Sequence, residues 1–150
     1  MNLAKGSYML YHYLQQSLED LQTLIQLTTQ DLEDIHKANH EAIFARNATK
    51  KERIASFENC KNLFDQEMLK LMQKHPGKPL AELLDEKGSA LLKQMRQCLN
   101  ELKEINADYA RIVFAVSEFY STLMQQIVPH ESVGYYNQQT IASSFLQVQA

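Results

Sequence analysis

Turn-forming residues are scarce in this 150-residue sequence: glycine occurs 4 times and proline 3 times, well below ordinary usage. A many-stranded sheet needs frequent tight turns built on such residues, so the shortage argues against a β-sandwich or barrel. Cysteine is nearly absent as well. Cys60 and Cys98 are the whole complement, and neither belongs to a Cys-x-x-Cys or Cys/His spacing that would hold zinc. Both fall within helical patterns and read as reduced core residues. Charge of one sign is lacking too: the formal net charge is −3 and no Lys/Arg run exceeds Lys50-Lys51. That excludes the basic stripe of a nucleic-acid binder and the polybasic patch of a lipid-surface protein. No stretch approaches the ~20 apolar residues of a membrane span, and residues 1–6 have no apolar signal run. A cytoplasmic location without stable membrane insertion is expected.

Leucine, glutamine, glutamate, lysine and alanine are abundant, and a chain of this length suits one domain. Hydrophobic periodicity is helical throughout. From Ser7, a plausible N-cap, a heptad runs through Leu14, Leu18, Leu21, Ile25, Thr28, Leu32, Ile35, Asn39 and Ala42, which predicts one helix to about 47–49. Thr49-Lys50-Lys51-Glu52 has the form of a capping box and predicts the start of a second helix. Its stripe is Ile54, Phe57, Lys61, Phe64, Met68 and Leu71, and it stops at His75-Pro76-Gly77. Pro79 opens a short amphipathic piece, 80–86, with Gly88 as its closing residue and Ser89 restarting the pattern.

The last helix has the cleanest heptad: Leu92, Met95, Leu99, Leu102, Asn106, Tyr109, Val113, Val116, Tyr120, Leu123 and Ile127, before Pro129. The predicted fold is all-α, an elongated antiparallel helical bundle or coiled coil of three long helices plus one short helix over residues 1–128. Residues 129–150 are expected to form a flexible C-terminal tail, with a weak helical option around Ile141, Phe145, Leu146 and Val148.

At ~1.5 Å per residue the first and last helices would each reach ~60 Å and the second only ~38 Å. Two registers are open. Either the last helix starts level with the end of the second and overhangs by ~20 Å, or it pairs fully with the first and both lack a third partner along part of their length. Apolar surface is left over in both, and the stripe is widest where Ile112, Val113, Phe114, Val116, Phe119 and Tyr120 cluster. Asn39 and Asn106 occupy seam positions, where a buried amide would set register; they would come level in the first arrangement. Either pairing or facing water fits them.

Catalytic chemistry finds little support. There is no Gly-rich phosphate loop, nucleophile elbow or triad spacing, and the carboxylates read as local partners of Lys and Arg. Glu33 and His36, with His40 four residues on, match half of a di-metal carboxylate site, but no second Glu-x-x-His exists. A solvated polar face explains them better, so no enzyme activity, metal or cofactor is expected. Tyr135 and Tyr136, after Gly134, are either turn residues or an exposed recognition element.

Several features together resemble the FlgN family of flagellar type III export chaperones. They are the polar stretches Gln30-Asp31-Leu32-Glu33 and His40-Glu41-Ala42-Ile43 in a long first helix, and Lys50 or Lys51 opening a second. Leu102-Lys103-Glu104-Ile105-Asn106 in the last helix and Gly134-Tyr135-Tyr136 after its end complete the set. Lys103 stands where the family commonly has an asparagine, and the glycine precedes the tyrosines rather than following one. The resemblance implies a cytosolic chaperone that binds the C-terminal region of hook-filament junction proteins and delivers them to the membrane protein of the export gate. It places substrate binding on Ile112, Val113, Val116, Phe119, Tyr120, Leu123 and Ile127, and gate docking on Tyr135 or Tyr136, in a monomer or weak homodimer. The alternatives are a homodimeric structural coiled coil or adaptor without an export role, and a metal-binding helical enzyme built on Glu33, His36 and His40.

Overall fold

A computed structural model of the chain describes residues 2–127, with the side chains of all of these except 2–7, 80 and 81. The tail 129–150, with Tyr135 and Tyr136, therefore lies outside the described residues. Four helices follow one another: α1 (Asn2–His36), α2 (His40–Lys74), the single turn α3 (Leu80–Leu83) and α4 (Glu86–Ile127). No strand occurs among the described residues.

The first break falls at 37–39, about ten residues before the one expected from the heptad and the capping box. Ala38 takes a left-handed conformation (φ 57°), its amide donates to the Ile35 carbonyl, and the Asn39 amide donates to the Asp34 carbonyl at 2.8 Å. This pair of reversed bonds is a Schellman motif, which normally places glycine where Ala38 stands. Thr49 and Glu52 are exposed in the middle of α2, where their side chains point to water and cap nothing. The stop at 75–77 lies where expected, with Gly77 at φ 89°.

Asp85 begins α4. Its carboxylate accepts the Gly88 amide at 2.8 Å, its carbonyl accepts the Ser89 amide, and Tyr11 donates its hydroxyl to it. Gly88 thus belongs to the first turn of α4 instead of closing the preceding piece. A Cβ there would come within 3.4 Å of Asp85, Leu84 and Tyr11, so the glycine lets α4 lie close against α1.

With 35, 35 and 42 residues, the long helices are nearly matched, at about 53, 53 and 63 Å. The expected short second helix is not found. α1 is the central element: α2 packs antiparallel along one side of it and α4, starting beside Tyr11, runs parallel along another. α2 and α4 stand further apart and meet through side chains such as Lys50 against Tyr109. The main core joins Leu10, Leu14, Leu21 and Leu24 of α1 to Phe64 and Met68 of α2 and to Met95 and Leu102 of α4. A second cluster at the far end holds Ile35, Ile43, Tyr109 and Val113.

Between and beside these clusters lie charges that an apolar pattern does not register. Asp20 and Asp31 of α1 are both 0 % exposed. Asp31 accepts Lys50 Nζ at 2.7 Å and Arg46 at 2.9 Å, and Arg46 also pairs with Asp34. Asp20 accepts the Ser56 hydroxyl at 2.6 Å and Arg53 at 3.2 Å. These partners sit on another helix, 15 to 36 residues away in sequence, and are not the local i to i+4 pairs expected of the carboxylates.

Candidate functional site: the free end of α4 and the groove beside it

The inward stripe of α4 does not stop where the bundle stops. Tyr109 and Val113 are buried, and Ile112 and Val116 pack against the same cluster while half-buried. One turn on, the ring of Tyr120 meets that of His40, the first residue of α2, edge to face at 6.3 Å. Past that point neither α1 nor α2 continues, yet the heptad does, through Leu123 and Ile127. Along this one stripe Val113 is 0 % exposed, Tyr120 38 % and Ile127 73 %, with Leu123 between the last two half-buried. Phe119 beside it is 62 % exposed.

The overhang is therefore shorter than the first of the two expected registers, about 10 Å for the seven residues after Tyr120, because α2 begins at His40 instead of Thr49. Of the seven residues assigned to substrate, Val113 is a correction: it is fully buried and offers no surface. Ile112 and Val116 present only part of theirs. Leu123 is likewise half-buried, and Phe119, Tyr120 and Ile127 are the exposed ones at the projecting end. Phe44 stands one turn after His40 on the same face of α2 and is 48 % exposed; it widens this apolar end, and a helix break placed at 47–49 hid it from the sequence.

The end is braced from below by the charged layer. Lys50, buried between α2 and α4, lies 5.4 Å from the ring centre of Tyr109, so one ammonium joins Asp31 of α1 to an aromatic ring of α4. Burial, helped by the nearby Asp31 charge, pushes the Tyr109 phenol well above its ordinary pKa and keeps it neutral. Burial disfavours the Arg46 charge, but its hydrogen bonds to Asp31 and Asp34 more than offset this and raise its pKa. Burial likewise raises the Cys60 and Cys98 thiols, with Asp20 and Glu101 respectively adding to it, so neither is an activated nucleophile.

The two register asparagines are not level. Asn39 is exposed in the turn ahead of α2, where its side chain makes no capping bond, whereas Asn106 is half-buried on α4 lower in the bundle. Glu33, His36 and His40 do not share one helical face, because the turn at 37–39 separates His36 from His40; among the described residues no group of three or more His, Cys, Asp or Glu could hold a metal ion. No helix among the described residues is long and apolar enough to cross a membrane.

Lower down, the splay of α2 from α4 opens a groove of about 740 Å³. Leu21 and Leu24 of α1 form its floor, Ile54 and Phe57 of α2 one wall, and Leu99, Leu102 and Asn106 of α4 the other. Lys61, Glu58 and Lys103 stand among its lining residues. Leu99, on the seam of the cleanest heptad, faces this groove and is 36 % exposed.

Comparison with known proteins finds no family model, no curated protein and no solved structure that matches this chain.

Proposed function

We propose that this protein is a non-enzymatic, cytosolic export chaperone of the FlgN type, which holds the C-terminal region of a hook-filament junction protein on the projecting end of α4 and delivers it to the export gate. The observation that carries the reading is the continuation of one heptad stripe from buried Val113 to 73 % exposed Ile127 past the end of the bundle. A helix that projects its core-facing stripe into water is suited to take an amphipathic partner segment, and apolar anchors at i, i+3 and i+7 are the means. The resemblance of the sequence to the FlgN family supplies the partner class and, in Tyr135 or Tyr136, the residue for docking to the gate's membrane protein.

Substitutions that test the site have to spare the core. Val116 packs against the Tyr109 cluster, so an aspartate there would confound binding with folding. Phe119→Asp and Ile127→Asp change exposed residues and should keep full helicity by circular dichroism. Titration with a C-terminal fragment of a junction protein should then show affinity reduced at least tenfold for each. Unchanged affinity would remove this surface from consideration. A tight dimer by light scattering at nanomolar concentration, broken by Ile127→Asp, would favour the structural coiled-coil alternative.

A further inference from the structure

The α4 wall of the groove continues above it. Lys103 and Ala107 line the groove, and Ala110 and Phe114 follow at i+7 and i+11 from Lys103, which keeps them on the same helical face. Phe114 is 50 % exposed there, and Leu99 at the lower end is 36 % exposed. α2 runs beside this face as far as His40, whose ring meets that of Tyr120, so the cleft between α2 and α4 opens onto the projecting end of α4. We infer that the partner segment held at that end is an amphipathic helix that continues down this cleft, opposite α1, with its apolar face on Leu99 and Phe114 and its carboxylates beside Lys61 and Lys103. The inference rests on the reading of the projecting end as a partner site and adds the path, conformation and charge of the partner.

The walls make the contact, since Leu21 and Leu24 beneath are already sealed in the main core. From Leu99 to Tyr120 the cleft is 21 residues of α4 long, about 32 Å, which a helix of similar length spans. Its walls are helices whose backbone groups are paired within themselves, so an extended segment would find no edge to bond, whereas a helix satisfies its own amides. A helix opposite α1 also completes a four-helix cross-section. The charge of the partner follows from the lining. Lys61 on the α2 wall and Lys103 on the α4 wall are both exposed, and Glu58 is the one carboxylate among the lining residues. Acidic side chains flanking the partner's apolar face complement that excess of positive charge.

A benzophenone side chain placed at Leu99 of the full chain, and separately at Ile127, tests the inference by photocross-linking to a C-terminal fragment of a junction protein. Capture of the fragment from both positions is the expected result. Lys61→Glu together with Lys103→Glu, both at exposed positions, should retain helicity and lower affinity for the fragment at least tenfold at low salt. Lys61→Arg together with Lys103→Arg should leave it unchanged. Capture from Ile127 alone would overturn the path through the cleft while leaving the partner site at the projecting end in place; capture from neither would remove both. Cross-links from Leu99 into a second copy, or an affinity that the charge reversals do not change, would also overturn it.

Discussion

At the scale of single residues, the unexpected chemistry is in α1, where Asp20 and Asp31 occupy interior positions among leucines. Ser17, Asp20, Thr28 and Asp31 are all at most 1 % exposed, so the helix is buried on more sides than its leucines imply. The heptad of α1 includes Thr28 but not Ser17, Asp20 or Asp31, since an apolar pattern does not register inward polar residues. Asp20 and Asp31 are tolerated there because α2 aims Arg46, Lys50 and Arg53 at them. Breaking a buried pair leaves a charge without compensation, a cost that commonly exceeds the net worth of the pair. Lys50→Met should destabilise the protein by about 3 kcal/mol, at the lower end of that range since Arg46 still reaches Asp31. Asp31→Asn should cost a similar amount, and in urea unfolding the double substitution should cost clearly less than the sum. Strict additivity would mean that the two residues are not coupled.

At the scale of elements, helix existence was legible and the α1–α2 boundary was not. Leucine periodicity identified three long helices, and proline with glycine marked the end of α2 at 75–77. The turn at 37–39 lacks both residues, and Ala38 adopts a conformation that an alanine rarely takes. The heptad happened to continue through Asn39 and Ala42, so periodicity gave no warning there. Ala38→Gly should relieve the Cβ strain of that left-handed residue and raise stability by about 1 kcal/mol. A thermal midpoint that does not rise would show that the turn carries no strain. Gly88 misled in the opposite sense: glycine is a common helix stop, but Asp85 three residues earlier is a stronger start signal, and the glycine serves close packing against Tyr11.

At the scale of the whole molecule, α1 is packed on two sides and α4 on one, and among the described residues the far end of α4 extends past both α1 and α2, with Ile127 73 % exposed. Native-state hydrogen exchange should follow that order. Amides around Leu14 to Leu24 should exchange only on global unfolding, whereas those at 121–127 should exchange orders of magnitude faster. Equal protection of the two regions would mean that the end of α4 is covered in solution, by a second copy or by another part of the chain. Part of the candidate site was legible in the sequence, since a stripe that widens toward Ile127 predicts surplus apolar surface. Which of its residues are free was not, because Val113 and Ile127 belong to one heptad and differ only in whether another helix reaches them.

The sequence by itself determined the all-α class, the clean stop of α2 and the apolar excess of the last helix, because composition and 3.6-residue periodicity are local properties of the chain. The tertiary structure alone decided the register of α4 on α1, the burial of Asp20, Asp31 and Lys50, and the groove between α2 and α4. Each of these depends on which distant residues come face to face, and a charge is paired or stranded, or a stripe covered or open, only once the helices are in place.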